Sequence, residues 1–400
     1  MIRSIRPFSR AISFKTACRG FSNKFIWPTA DLGLSKASTP PTSWYTEKEF
    51  LMKVEKEHTF RNWLNIGHVQ ALQNEGDYLA CTILDQPIVV VKSKEGTINA
   101  FYNVCRHHAA QICDDGQGSI GPNGRFTCPY HGWQYNSEGK LTKAIKMKGC
   151  ENFSAKEFGL HSLPVQIVGP WVYVNFSPLK TKNIYEDVPD LGEMTKMLEG
   201  ADYHKLLHYK SRNYVINCNW KVFIDNYLDG GYHVPVAHKD LTANLDIDKY
   251  ERRSYDSFHV QTCPASTSSD SRIDGGKSGS TALYIFQYPN ICINRYGQWM
   301  DTNITWPLGP DKCLVVFDWY IDPSLVGQKE ILNSSIEKSD KVQQEDIWLC
   351  ERVQKGINSR GYDVGRYAPL LEGKRAHMLI ASLFDNLYRW RIFISSKTKC

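Results

Sequence analysis

The sequence predicts an α+β chain built as two successive units, a small all-β domain and then a larger α+β domain. Three observations lead there. At 400 residues the chain exceeds the roughly 100–200 residues of one ordinary domain. From about residue 60 to 178 the apolar residues fall in short β-rich runs separated by turn residues. Beyond that, strand-like runs recur, but two helical stretches punctuate them, 220–227 and the long 329–356.

The elements follow in order. Residues 1–21 carry Arg3, Arg6, Arg10, Lys15 and Arg19 with no acidic residue, and the first acid is Asp31. An acid-free, Arg- and Ser-rich N-terminus is the pattern of an organelle targeting peptide, and its apolar stretches are too short for a secretory signal. The run Arg19-Gly20-Phe21-Ser22 resembles a mitochondrial processing site, so the expected compartment is the mitochondrial matrix, with the chloroplast stroma as the alternative. A disordered basic tail is the bland alternative. Residues 22–59 are expected to be a linker, rich in Ser, Pro and Thr at 32–43, followed by an N-terminal helix with Phe50, Leu51, Val54 and His58 on one side. Strands are expected at 78–84, 87–92, 98–104, 125–127 and 167–176, the last broken by Gly169-Pro170. Residues 179–198 are polar, a connector or peripheral helix. The second domain, 179–400, then has expected strands at 209–217, 259–262, 282–288, 292–296 and 313–321.

Composition bounds the function. Hydrophobic residues at 42% and charged residues at 22% exclude a disordered or fibrous chain. No apolar run approaches the roughly 20 residues that cross a bilayer, so no membrane association is expected. The first 21 residues hold five of the net +6 charges, so the body is near neutral and gives no general basic surface for nucleic acid. The twelve cysteines are scattered, which fits a reduced compartment better than a disulfide framework.

The sharpest chemical feature is Cys105-Arg106-His107, then twenty residues, then Cys128-Pro129-Tyr130-His131. Two Cys and two His suit a tetrahedral zinc ion. They also suit a Rieske [2Fe–2S] centre, in which two Cys hold one iron and two His the other. Two loops that each give one Cys and one His meet that need from opposite sides. Pro129 stiffens the second loop, the Tyr130 hydroxyl is a candidate donor to a cluster sulfur, and Gly132-Trp133 packs the loop onto the β domain.

Cys-Arg-His-His-Ala followed by Cys-Pro-Tyr-His-Gly-Trp resembles the signature of Rieske-type ring-hydroxylating oxygenase α subunits. The resemblance implies an N-terminal all-β Rieske [2Fe–2S] domain, here 60–178, and a helix-grip, START-like catalytic domain with an antiparallel sheet. It implies Cys105, His107, Cys128 and His131 as cluster ligands. It also implies a mononuclear Fe(II) held by two His and one carboxylate, a set that leaves positions open for O₂ and substrate. Residues 225–238 contain His233 and His238. The carboxylate is expected in the acidic helix segment that includes Glu345 and Asp346. Asp346 is the better match, Glu345 competes, and Glu351 is read as a solvated helix face. In the family a further carboxylate links this iron to the Rieske centre of a neighbouring subunit, normally three residues before the first iron His. That position is Gly230 here; Asp229 is the expected bridge and Asp225 the fallback.

Further stretches narrow the resemblance to the choline monooxygenase branch. They are 141–144, 219–223, and the segments from Pro289-Asn290 through 294–297, 299–303 and 307–310. It covers about 45–370 and weakens beyond Glu372. The implied reaction oxidises choline to betaine aldehyde hydrate with O₂ and electrons from a ferredoxin or ferredoxin-like reductase, in a homo-oligomer that the family builds as a trimer. A quaternary ammonium has no N–H to donate, so it needs aromatic faces and negative charge. Tyr288, Tyr296 and Trp299 are the candidate substrate residues, and Asp301 adds charge. Carnitine, glycine betaine or stachydrine would instead need an arginine for their carboxylate, and Arg295 is the one to watch. Two other classes stay open: an electron-transfer Rieske protein without oxygenase activity, and a zinc-stabilised binding module. Lys140, Lys143, Lys146 and Lys148 follow directly on the second Cys/His loop and form a candidate docking face for an acidic ferredoxin.

Overall fold

The computed structural model describes residues 25–372, apart from 26, 30, 31, 122, 178–182, 230, 243–244, 266–280 and 370–371. The expected targeting segment and the boundary expected at 178/179 lie outside the described residues.

The expected linker is packed rather than free. Trp27 and Ala37 are fully buried, Ser38 bridges Arg366, and Trp27 Nε1 donates to the Ser38 carbonyl at 3.0 Å. The Thr29 hydroxyl accepts the Ser38 N–H at 2.9 Å, so the Ser/Thr content that signals a loop here satisfies buried backbone. Trp44 stacks on Phe50 with centroids 5.0 Å apart. The expected helix forms as Ser43–Thr46, Lys48–Phe50 and Leu51–Thr59. Its last part is wound in wide i→i+5 turns, the Phe60 N–H reaching the Glu55 carbonyl at 2.9 Å. The wider turn brings Glu55 and Thr59 onto the buried face beside Val54, which a 3.6-residue period does not foresee.

The first half is three antiparallel sheets. β1 (Trp63–His68) pairs with a strand about a hundred residues later. β2 (Asp77–Ile83), β3 (Gln86–Lys92), β4 (Ile98–Tyr102) and β5 (Gly116–Ser119) join β9 (Ser162–Leu163) in the order β5-β2-β3-β4-β9. β6 (Arg125–Thr127), β7 (Gln134–Asn136) and β8 (Leu141–Lys143) make a small three-stranded sheet. β10 (Val165–Val168) and β11 (Trp171–Asn175) are the two halves of the run broken at Gly169-Pro170, and β1 pairs with β11. Two hydrophobic cores result. The smaller holds Cys105, Cys128, Trp133 and Tyr135 among strands β2 to β7. The larger runs from β1 and β11 straight into the second half of the chain, so that sheet is welded to the partner domain.

The second half is one seven-stranded antiparallel sheet: β12 (Leu207–Ile216), β13 (Glu251–Ser254), β14 (Phe258–Pro264), β15 (Thr281–Gln287), β16 (Ile291–Tyr296), β17 (Trp299–Gly309) and β18 (Lys312–Ile321), in the order β12-β18-β17-β16-β15-β14-β13. The helices relevant to the site are α1 (Trp220–Leu228), α2 (Val234–Ala237) and α3 (Lys329–Ile357). The α1 N-terminus is capped by Asn219, whose side chain accepts the Lys221 N–H. α3 crosses one face of the sheet, with Trp319 Nε1 donating to Ser339 Oγ at 3.0 Å. Cross-strand partners share a face, and the pairs Asn294↔Asp301, Tyr296↔Trp299 and Asp301↔Trp319 therefore put all five side chains on this helix-facing side. Arg295, paired with Met300, points to the other side. Strand β17 is the longest of those that sequence periodicity misses; β13 in the same sheet and the short β1, β5, β7, β8 and β9 are the others. The first nine residues of β17 are buried, yet Asp301, Asn303 and Thr305 interrupt the apolar pattern. No helix among the described residues is long and apolar enough to cross a membrane.

Candidate functional site

The two Cys/His loops are built alike. In one, the Cys105 N–H reaches the Ala110 carbonyl at 2.8 Å and the Ala109 N–H returns to the Cys105 carbonyl at 3.0 Å. In the other, the Cys128 N–H reaches the Trp133 carbonyl at 2.8 Å and the Gly132 N–H returns to the Cys128 carbonyl at 3.0 Å. Gly132 has φ +69°, a conformation glycine adopts without strain, and this closes the β6–β7 turn. Both cysteines are buried. The two imidazoles stand at the outer edge with their Nδ1 atoms 3.1 Å apart, and His107 lies flat on Trp133 at 4.7 Å. Burial raises the Cys128 thiol, and the backbone N–H groups of Tyr130 and His131 oppose that by stabilising a thiolate. Partial burial, with His108 and His131 nearby, lowers His107 and keeps it neutral, the form that binds metal.

The donor set separates the two metal possibilities. A tetrahedral zinc ion would hold its ligands roughly 3.3–3.8 Å apart. Among the described residues, the groups of three whose ligand atoms all lie within 4.8 Å are His68/His208/Asp318 and His233/His238/Asp346, and no three of Cys105, His107, Cys128 and His131 form one. Sulfurs inside and imidazoles outside fit a two-iron cluster better than one ion. One expectation changes. Tyr130 is 65% exposed and stacks on His131; the phenol at the sulfur is Tyr135, 3.3 Å from Cys105 Sγ. The Tyr135 oxygen accepts the Arg106 N–H at 3.0 Å, which leaves its own proton for the sulfur. Sequence spacing missed Tyr135 because it sits on β7, outside the loop.

The second centre is a compact triangle. His233 Nε2 and His238 Nε2 are 3.1 Å apart, His238 Nε2 is 3.0 Å from Asp346 Oδ1, and His233 Nε2 is 3.4 Å from the same oxygen. Three donors at about 2.1 Å from one metal, at right angles to each other, are about 3.0 Å apart, so the triangle fits a facial two-His, one-carboxylate set. α2 and the turn before it place the histidines, and α3 brings the carboxylate from more than a hundred residues away. Burial opposes charge on His233, but Asp229 and Asp346 outweigh it and raise the ring to about 10. Burial would raise Asp346, yet the two imidazoles hold it at about 2. Three carboxylates, Asp229, Glu345 and Asp346, surround the two rings, and a ferrous ion bound there would supply the positive charge that protonated imidazoles otherwise give.

The surrounding carboxylates sort themselves by geometry. Asp229 Oδ2 is 2.6 Å from His233 Nδ1, and its carboxylate also accepts the N–H groups of Gly231, Tyr232 and His233 at 3.0–3.2 Å. Asp225, the fallback, instead accepts the Tyr45 hydroxyl at 2.7 Å. Glu345 meets His238 at Nδ1, 2.7 Å away, so it takes no corner of the triangle. Asn226 donates to Asp346 Oδ1 at 2.8 Å, a contact that sequence reasoning missed.

The next residue on α1, Tyr227, faces the sheet and donates to Asn294 Oδ1 at 2.7 Å. Asn294 donates to Asp301 Oδ1 at 2.6 Å, and Tyr296 donates to Asp301 Oδ2 at 2.6 Å. Burial pushes the Asp301 carboxyl up to about 6, against the pull of Tyr296, Asn294 and Asn303, which leaves it ionised at neutral pH. Two of the three expected substrate residues, Tyr296 and Trp299, thus join this face. Tyr288 does not; it lies in the β15–β16 turn beside Glu55. Tyr227 and Tyr284 lie against this face instead, Tyr227 bonded to Asn294 and Tyr284 paired with it. Arg295 is spent on backbone: Nε donates to the Ala201 carbonyl at 2.9 Å, and Nη1 donates to the carbonyls of Gly297 at 2.5 Å and Trp299 at 2.9 Å.

Two family descriptions match the chain, the Rieske [2Fe-2S] domain over residues 62–155 and the ring hydroxylating alpha subunit (catalytic domain) over 203–379. A chloroplastic choline monooxygenase of Arabidopsis thaliana is 40% identical over 88% of this chain and 84% of its own length. The chain belongs to the Rieske-type ring-hydroxylating oxygenase α subunits, in their choline monooxygenase-like branch. It is a Rieske non-haem iron monooxygenase, with a [2Fe–2S] cluster and a mononuclear iron as its cofactors. The carnitine monooxygenase oxygenase subunit of Escherichia coli is 28% identical over 82% of this chain and 86% of its own. A crystallised quaternary ammonium Rieske monooxygenase shares the fold, with a TM-score of 0.79 at 24% identity over 89% of this chain and 96% of its own. The choline monooxygenase match places the chain among quaternary-ammonium oxygenases.

Proposed function

We propose that this oxygenase acts on choline. The observation that carries the proposal is the charge on the central strands of the sheet; the arginines that share their helix-facing side, Arg212 and Arg252, stand on the edge strands β12 and β13. Arg295 is the only basic residue on β15, β16 and β17, and it points away from Asp301 with its guanidinium on backbone carbonyls. The fixed charge that remains beside Tyr296, Trp299 and Tyr227 is the Asp301 carboxylate. A cationic alcohol suits such a face. Carnitine, glycine betaine and stachydrine would bring a carboxylate towards it with no arginine on these strands to receive it. Aromatic faces add roughly 0.5–2 kcal/mol per contact with the ammonium.

In this proposal His233, His238 and Asp346 hold the mononuclear iron, and Cys105, His107, Cys128 and His131 hold the cluster. Bound there, the two groups supply electron transfer and O₂ activation. Choline, O₂, two electrons and two protons give betaine aldehyde hydrate and water. The chain's own part is to orient the ammonium against Asp301 and the rings, so that the hydroxyl-bearing carbon faces the His/His/Asp triangle, and to exclude water. The electrons come from a ferredoxin-like donor. The homotrimer expected from the family would set one subunit's cluster histidines beside another's Asp229. The chloroplastic relatives favour the stroma over the mitochondrial matrix, so residues 1–21 are proposed to direct plastid import, which a fluorescent reporter fusion checks directly.

The substrate test is turnover of the purified holoenzyme on choline, carnitine, glycine betaine and stachydrine with reduced ferredoxin. Choline should be oxidised at least tenfold more efficiently. Asp301→Asn should raise the KM for choline about tenfold, equivalent to about 1.4 kcal/mol, with iron retained. Faster turnover of any carboxylate-bearing substrate would remove the assignment.

A further inference from the structure

Helix α3 presents two adjacent carboxylates to the iron site, and they meet it on different atoms. Asp346 Oδ1 lies 3.0 Å from His238 Nε2, while Glu345 Oε2 lies 2.7 Å from His238 Nδ1, across the ring. An imidazole that offers Nε2 as a lone pair carries its proton on Nδ1, and Glu345 is placed to accept that proton. Successive side chains on a helix diverge by about 100°, so one turn of α3 can straddle the ring. His238 is only 2% exposed, which leaves little room for water to do the same work at Nδ1.

The partner histidine is held by the same logic but more heavily. Asp229 anchors His233 Nδ1 and three backbone N–H groups of its own turn. Glu345 is a longer side chain, 32% exposed, and the lysine one turn before it on α3, Lys341, gives its ammonium to Asp240 at 2.6 Å. Glu345 therefore spends its described hydrogen bond on His238 rather than on a surface ion pair.

We propose that Glu345 is a positioning residue. It fixes His238 as the Nδ1–H tautomer and aims Nε2 at the metal, acting through the ring and not as a ligand. The inference rests on the His233/His238/Asp346 iron site proposed above.

The test is Fe(II) affinity of the purified holoenzyme by chelator competition, with the visible spectrum of the cluster as an internal control. Glu345→Ala should weaken iron binding about 10–100-fold. Glu345→Gln keeps an acceptor at Nδ1 and should recover most of that loss, to within about tenfold of wild type. Both should keep the cluster spectrum and the melting temperature. Iron affinity of Glu345→Ala within twofold of wild type would make this carboxylate ordinary helix surface and end the proposal. Loss of iron in Glu345→Gln as complete as in Asp346→Ala would make Glu345 a ligand and overturn it equally. Asp346→Ala and His233→Ala run alongside. If both retained stoichiometric mononuclear iron, the site assignment itself would have failed, an outcome separate from the other two.

Discussion

Replacing Glu55 by Gln should destabilise this enzyme through a charge left stranded in the core at the start of α1. Glu55 and Lys221 are both fully buried, with Oε1 and Nζ 2.5 Å apart. Trp220 Nε1 donates to the other carboxylate oxygen at 2.9 Å, and Lys221 Nζ also donates to Asn219 Oδ1 at 2.8 Å. The rings of Tyr45, Phe50 and Trp220 lie 5.2–5.4 Å from the ammonium. Breaking a buried pair by removing one partner costs about 3–5 kcal/mol, because the other charge stays desolvated. The rings and Asn219 remain in the variant, so the low end, about 3 kcal/mol, is expected. At roughly 2–4 °C per kcal/mol for a unit of this size, the apparent Tm should fall by about 6–12 °C.

The pH dependence follows from Lys221. Burial lowers its pKa and Glu55 raises it; without Glu55 the native value falls further below the unfolded value of about 10.4. The unfolded chain then binds more protons than the native one, so the variant gains stability as pH rises. Its deficit relative to wild type should shrink between pH 7 and pH 9. The assay is thermal melting by circular dichroism at a fixed scan rate in both buffers. A Tm within 2 °C of wild type at pH 7, or a deficit that widens at pH 9, would refute the buried-pair reasoning.

Three further outcomes are expected. Tyr135→Phe removes the hydroxyl at Cys105 Sγ and should lower the cluster's reduction potential with its visible spectrum intact, as a redox titration would read; an unchanged potential would mean the phenol does not donate to the sulfur. His233→Ala should lose the mononuclear iron and all turnover while metal analysis still finds the cluster's two irons, and retained product formation would sink the iron-site assignment. Lys143→Glu with Lys146→Glu, both exposed beside the second Cys/His loop, should raise the apparent KM for ferredoxin several-fold and flatten its salt dependence; kinetics matching wild type across ionic strength would place the donor elsewhere.

The sequence by itself determined the family and the two-unit architecture, and it pointed to the residues proposed for both metal sites. Those signals are local. A Cys and a His two or three residues apart on a tight loop, or two His five apart, are written contiguously, because one turn of backbone must aim both side chains. Strand and helix runs such as β6, β18 and α3 were legible for the same reason, since period and breakers act over a few residues.

What only the tertiary structure decided is pairing across the chain. Asp346 and Glu345 are neighbours in sequence and equal as carboxylates; their division between His238 Nε2 and Nδ1 exists only once α3 lies against that ring. Asp229 rather than Asp225 meets His233 because the turn after α1 folds it back under that ring, whereas Asp225 faces Tyr45. Tyr135 displaces Tyr130 as the donor at the sulfur because a hairpin brings β7 beneath the first loop. Arg295 and Asp301 differ in role because antiparallel register sends one to each face of the sheet. A polar strand such as β17 hides from pattern reasoning because its buried side chains bond to one another, and hydrophobic periodicity records transfer from water, not partners assembled by the fold.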